Sequence, residues 1–267
     1  ELQERGFVVL CHDWRGQGLS GRMLTDRLKG HAKGIAPFLD DYQRLLAAFE
    51  ARLPKPWIAI GHSMGGALTL AALASGEKRF SACALSAPML GVGAVGFSHN
   101  IVRTIVWSSN LVGLGGRYLF GDPASPFTIT FEKDRLGHER WRWDRYRAQI
   151  TACPDLALGN LTWGWLEFAM RIGARLGRRG AVEHIGIPVL LVAAGDDDRV
   201  QTPASAAIAK RLPNCRYIEI EGAYHEILME TDAIRAVWWE AFDDLTSSVI
   251  PGLAQAVKTP GPGITAR

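Results

Sequence analysis

Short apolar runs separated by helical patterns dominate the first part of the chain. The runs at 7–11 and 57–60 are uninterrupted and the run at 80–85 contains a single polar residue, Ser81, as in strands that are buried on both faces of a parallel sheet. Between the first two runs, apolar positions from 37 to 53 recur at helical spacing and end at Pro54. Strands and helices that alternate in this way predict an α/β fold with a doubly wound, mostly parallel sheet.

The alternation stops between Leu90 and Ile187, where helical patterns continue without a comparable apolar run. We interpret this stretch as a helical lid inserted into the sheet, because strand-like runs resume at 189–194 and 216–220. The predicted organisation is a core at 1–90 and 181–250, a helical cap at 91–180 and a loosely ordered tail at 251–267.

Composition narrows the possible functions only slightly. The 267 residues are 48% hydrophobic and 21% charged, and a net charge of +3 is too small to favour a nucleic-acid partner. The four cysteines are too far apart for a zinc knuckle or a redox pair. No apolar run is long enough to span a membrane. We therefore expect a cytoplasmic protein that makes at most peripheral membrane contact through the lid.

The most informative motif is Gly61-His62-Ser63-Met64-Gly65, which fits G-x-S-x-G. It lies between the apolar run at 57–60 and a helix-forming stretch at 67–74, and strand, tight turn and helix are the setting of a nucleophile elbow. Ser63 is expected at the apex, in a strained backbone conformation. The alternative is a Gly-rich turn whose serine has no chemical role.

Candidates for a base and an acid come later in the chain. A serine hydroxyl needs a base to remove its proton and a carboxylate to orient that base. The cluster Asp196–Asp198 follows the run at 189–194, and His225 follows the last predicted strand, which is the chain order Ser, acid, His. His62 precedes Ser63 on its strand and is expected to point away from the serine.

These motifs together resemble the α/β-hydrolase group of bacterial lysophospholipases and monoacylglycerol lipases, which is related to the serine aminopeptidase-like hydrolases. The resemblance rests on DWRGQGLS (13–20), GHSMGG (61–66), SAPML (86–90), GDDDRV (195–200), GAYHEILME (222–230) and a lid-like segment at 154–166. It implies that Asp198 is the acid, with Asp197 as the other candidate. It also implies that the Met64 N–H is one oxyanion donor and that no metal or cofactor is required.

The start of the chain departs from that group. Its members carry, upstream, a strand and a His-Gly turn whose next backbone N–H completes the oxyanion hole. This chain begins at Glu1, beyond that point, so the second donor is expected upstream of residue 1 and the chain is expected to be N-terminally truncated. The same observation leaves a signal peptide open.

The predicted function is that of a serine ester hydrolase, which cleaves a monoacyl lipid through an acyl-enzyme intermediate. The alternatives are a generic carboxylesterase or peptidase of the same fold, and an inactive truncated fragment or scaffold. Within the lid, the segment 161–166 is expected to line an acyl pocket or to form the core of the insertion. The basic and aromatic run at 141–147 suits a solvated helix face, with RNA or a lipid headgroup as the alternative partner. The sequence leaves the acyl chain length, the headgroup and the oligomeric state open.

Overall fold

The computed structural model describes residues 1–92, 99–119 and 125–251. Its α-helices and strands are, in chain order, α1 (Ala36–Phe49), β1 (Trp57–His62), α2 (Ser63–Ala74), β2 (Phe80–Ser86), α3 (His99–Leu111), α4 (Phe131–Asp134), α5 (Arg140–Ala152), α6 (Trp163–Gly177), β3 (Val189–Ala194), α7 (Thr202–Ala209), β4 (Cys215–Ile220) and α8 (Asp232–Val249). The predicted loose tail at 251–267 lies outside the described residues, apart from Pro251.

The four strands form one parallel sheet in the order β1-β2-β3-β4. Both faces of β3 are covered: Val189 and Leu191 pack in the core formed with α1, α2 and α6, whereas Leu190 and Val192 pack toward α8. This two-sided burial is the reason for the uninterrupted apolar run in β3. The predicted α/β fold with a parallel sheet is confirmed, and the carboxyl ends of its strands meet at one edge.

The predicted strand at 7–11 is wrong. This segment is not a strand, and within the described part of the chain its backbone makes no ladder hydrogen bonds to β1. Val8 is 65% exposed, while Phe7 packs its ring against that of Phe242 at a centroid distance of 5.8 Å. An apolar run indicates burial, but a strand also needs a hydrogen-bonded neighbour, and none lies beside this segment among the described residues.

Four helices, α3 to α6, separate β2 from β3 in the described part of the insertion. Helix α6 is amphipathic, and its buried residues Phe168 and Ile172 belong to the same core cluster as Leu68 of α2. The rings of Phe168 and Phe38 stack at 4.9 Å. The insertion is therefore anchored in the main core through α6, and the predicted cap boundaries at 91 and 180 stay a prediction. None of the helices described has the length and apolar character needed to cross a bilayer.

Candidate active site

Ser63 lies at the junction of β1 and α2 with a φ of 48°. This left-handed conformation costs a non-glycine residue on the order of 1–3 kcal/mol. The conformation of Ser63 is maintained because β1 and α2 pack too closely for side chains at the glycines between them. A Cβ on Gly61 would lie 2.7 Å from Gly66 Cα. A Cβ on Gly66 would lie 2.9 Å from Pro88 Cβ. The backbone thus has the geometry of a nucleophile elbow, and the two glycines are required by close approach.

His225 places its ring against the serine hydroxyl. It follows β4 in the chain, is 5% exposed, and its Nε2 lies 2.9 Å from Ser63 Oγ. At that distance Nε2 can accept the hydroxyl proton. The structure therefore brings together the two residues that the sequence assigned as nucleophile and base.

The carboxylate that contacts His225 belongs to Asp197. Its Oδ2 lies 2.7 Å from His225 Nδ1, and its Oδ1 accepts hydrogen bonds from the N–H groups of Arg199 and Val200 at 2.8 and 3.0 Å. The side chain is fully buried, at 0% exposure. Burial alone would raise the pKa of Asp197, but the hydrogen bonds from His225 and the two N–H groups outweigh it. The pKa of Asp197 therefore lies below its ordinary value of 3.8.

The prediction that Asp198 orients the base is wrong for this geometry. The Asp198 side chain is 46% exposed and pairs with Arg199, whose Nε lies 3.1 Å from its Oδ1. The turn determines which of the two aspartates contacts His225, because an aspartate can accept hydrogen bonds from the backbone N–H groups two and three residues after it. Asp197 accepts both of these hydrogen bonds through Oδ1, and its second oxygen then points at His225. The sequence alone does not distinguish the neighbouring carboxylates, because each of Asp196, Asp197 and Asp198 is followed by residues whose N–H groups such a turn could capture.

His62 does not point away from the site, contrary to expectation. Its ring centroid lies 4.9 Å from that of His225, with the two planes tilted by 56°. Its Nε2 lies 3.1 Å from Oε1 of Glu226, the residue after His225. Sequence reasoning missed Glu226 entirely, since a lone carboxylate in a loop carries no pattern. A second imidazole and a second carboxylate therefore border the Ser63–His225–Asp197 chain.

A cavity of about 670 Å³ opens onto Ser63 and His225. Leu158, Leu161 and Trp165 line it from the insertion, and all three side chains are apolar. Residues of β1 and of the segment at 7–11 also line the cavity. The predicted acyl-pocket segment at 161–166 thus contributes two lining residues.

Met64 occupies the first turn of α2, directly after Ser63. The first N–H groups of a helix have no acceptor within the helix, and the helix dipole makes that end electropositive. The Met64 N–H is therefore placed at the serine end of the helix, as an oxyanion donor requires. Its role in the reaction stays a prediction.

Comparison with known proteins decides the family. The sequence profile of the serine aminopeptidase S33 family matches residues 1–232. The chain belongs to this family. It is thus a hydrolase of the α/β-hydrolase fold, as the resemblance implied.

Individual relatives of this S33-family chain carry lipid-ester names. Lysophospholipase L2 of Escherichia coli K12 is 32% identical over 260 residues, which cover 91% of this chain and 73% of that protein. Monoacylglycerol lipase of Mycolicibacterium smegmatis is 25% identical over 252 residues, covering 93% and 80%. The crystal structure of Paleococcus ferrophilus monoacylglycerol lipase aligns with a TM-score of 0.64 at 18% identity, covering 88% of this chain and 81% of that one. The last likeness shows the fold alone.

In this S33-family chain the loop that carries His225 is braced by the insertion. Glu230 is fully buried, and its carboxylate accepts hydrogen bonds from the N–H groups of Tyr224 and His138 at 2.9 and 3.0 Å. His138 Nδ1 lies 2.8 Å from the same carboxylate. Arg142 of α5 is 4% exposed and donates to the Glu230 carbonyl at 2.6 Å. Part of the basic run at 141–147 is therefore structural rather than a free basic surface.

Proposed function

We propose that this chain is a serine ester hydrolase that acts on monoacyl lipids, either lysophospholipids or monoacylglycerols. The observation that carries the proposal is the unbroken contact chain from Ser63 Oγ to His225 Nε2, at 2.9 Å, and from His225 Nδ1 to Asp197 Oδ2, at 2.7 Å. The names of the relatives, lysophospholipase L2 and monoacylglycerol lipase, support the lipid-ester class.

The reaction proceeds in two halves. Ser63 Oγ attacks the ester carbonyl while His225 Nε2 takes its proton, and the ionised Asp197 stabilises the imidazolium that forms. The tetrahedral oxyanion accepts a hydrogen bond from the Met64 N–H. Collapse breaks the ester C–O bond, and the proton on Nε2 passes to the departing alcohol. His225 then takes a proton from a water, whose oxygen attacks the acyl-serine. When the bond between the acyl carbon and Ser63 Oγ breaks, the proton on Nε2 passes to Oγ, and the fatty acid is released.

The substrate class is supported by the shape of the cavity and the character of the insertion. An acyl chain needs apolar walls, which Leu158, Leu161 and Trp165 supply next to Ser63. Helix α3 exposes several apolar side chains, including Ile105 at 47% and Leu111 at 69%. Exposed apolar side chains of this kind fit peripheral contact with a lipid surface, where a monoacyl substrate resides.

A substrate panel with matched serine variants tests the proposal. Wild type should hydrolyse lysophosphatidylcholine or monoacylglycerol faster than diacyl phospholipid or aminoacyl amides. Ser63→Ala should lower turnover by several orders of magnitude. Ser248→Ala, which removes an exposed hydroxyl near the end of α8, should leave turnover unchanged. Cleavage of amides without turnover of any monoacyl lipid would instead support the peptidase alternative.

A further inference from the structure

An ion pair links the neighbours of the two reacting residues. His62 immediately precedes Ser63, and Glu226 immediately follows His225. The contact between His62 Nε2 and Glu226 Oε1, at 3.1 Å, joins the turn that carries Ser63 to the loop that carries His225. These two segments must keep their relative position for the 2.9 Å contact between Ser63 and His225 to persist.

The pair is partly buried, which strengthens its attraction. The side chains of His62 and Glu226 are 28% and 31% exposed, and the His62 Nε2 atom is itself buried, with Glu226 Oε1 3.1 Å away. Attraction to this carboxylate is therefore what compensates the buried nitrogen for its lost contact with water. The Glu226 backbone N–H also donates to the Leu136 carbonyl at 2.9 Å, so the base loop is fixed from the insertion side as well.

Each partner shifts the pKa of the other in the direction that favours the charged pair. Burial would lower the pKa of His62, but the Glu226 carboxylate and the backbone of Ser86 outweigh burial and raise the pKa above 6.5. Burial would raise the pKa of Glu226, yet His62 outweighs it and lowers the pKa to about 2. The other groups that face the pair are His225, Asp197 and Arg199, with Tyr146 near Glu226.

We propose that the His62–Glu226 ion pair is a positioning clamp, which holds the His225 ring at attack distance from Ser63. In this role, neither His62 nor Glu226 contacts the reacting atoms. This proposal rests on the proposed serine-hydrolase function and adds a pH-dependent control of the same site. A small displacement of a base from its reacting partner is enough to slow proton transfer strongly.

The sign of the pH effect follows from the raised pKa of His62. The clamp is complete below pH 6.5 and is lost as the pH rises through the raised value. Glu226 stays ionised throughout this range, since its pKa is about 2. Reactivity of Ser63 should therefore show a decline on the alkaline side that depends on both residues of the pair.

The test measures the second-order rate of Ser63 labelling by a fluorophosphonate, together with kcat and KM for a nitrophenyl ester, from pH 5 to 10. Glu226→Gln should label about tenfold more slowly at pH 6, with kcat reduced and KM little changed. His62→Gln should behave alike, and the double variant should be no worse than the worse single variant. Both single variants should lack the alkaline decline. Glu183→Gln, which breaks the surface pair with Arg211, is the matched control and should match wild type.

Wild-type rates in Glu226→Gln, or additive losses in the double variant, would overturn the proposal. Nitrogen-15 NMR of the histidine rings gives a readout that needs neither activity nor a variant that folds well. His62 should titrate above pH 6.5 in wild type, and a titration below 6.5 would also overturn the clamp. If Ser63 labels normally but no monoacyl lipid is hydrolysed, the proposed substrate fails and the clamp stands.

Discussion

Replacing Asp197 by asparagine should remove most of the esterase activity while leaving the turn intact. The amide oxygen of the new side chain can still accept the N–H groups of Arg199 and Val200, which Asp197 Oδ1 holds at 2.8 and 3.0 Å. The amide NH₂ must then face His225 Nδ1, where Asp197 Oδ2 now lies at 2.7 Å. Because NH₂ donates, Nδ1 must accept, so the ring proton moves to Nε2. The nitrogen that faces Ser63 can then no longer take its proton.

The expected loss follows from this change of tautomer. Comparable substitutions in serine hydrolases lower kcat by about 10⁴-fold, or about 5.5 kcal/mol of transition-state stabilisation. Asp198→Asn is the matched control, since it makes the same replacement of a carboxylate by an amide at the neighbouring residue. Its side chain is 46% exposed and pairs with an Arg199 that is 45% exposed. An exposed pair of this kind contributes about 0–1 kcal/mol, so turnover should change less than about fivefold.

The assay is steady-state hydrolysis of a short-chain nitrophenyl ester at pH 8, with circular dichroism to confirm that each variant is folded. An inactive Asp198→Asn beside a fully active Asp197→Asn would refute the assignment. Equal and moderate losses in both would show that the two carboxylates share the role, which the geometry above excludes.

Two other predictions concern the insertion and a buried residue that contacts it. Glu230→Gln should lower the free energy of unfolding by about 2 kcal/mol, because the new amide cannot accept hydrogen bonds from all the donors around it. Calorimetry should show Tm falling by roughly 4–8 °C, and an unchanged Tm would contradict this bracing role. Leu111→Ser should weaken sedimentation with phosphatidylglycerol vesicles by about tenfold, since burying a leucine contributes about 1.5–3 kcal/mol. Val8→Ser, an equally exposed position outside the insertion, should bind as wild type does, and parallel losses in both would remove α3 as the contact surface.

The features that could be predicted from the sequence are those set by residues close together in the chain. The nucleophile turn needs an apolar strand, closely spaced glycines and a helix, and all of these lie between Trp57 and Ala74. His225 could be assigned because it directly follows the last strand, β4. In both cases the local pattern and the parallel sheet determine where the side chain lies.

The errors arose where a distant partner or a single backbone turn decides. The segment at 7–11 has the composition of a strand, but pairing depends on a neighbour that its own residues do not specify. Asp197 and Asp198 both follow β3, and only the N–H groups captured in the turn distinguish them. Glu226 and Glu230 act on residues far away in the chain, at His62 and His138, so neither produced a local signal.

The two halves of the site are supported by different parts of the molecule. Ser63 is fixed by the sheet, through the close packing of Gly61 against Gly66 and the hydrogen bond from Met89 to its carbonyl. The loop of His225 is held by residues of the insertion, including Leu136, His138 and Arg142, as well as by the Asp196 N–H, which donates to the Ala223 carbonyl at 3.0 Å. A displacement of the insertion would therefore reach His225 through direct contacts, whereas Ser63 is held by the sheet itself. Substitutions at this brace should consequently lower kcat, even though none of these residues contacts Ser63.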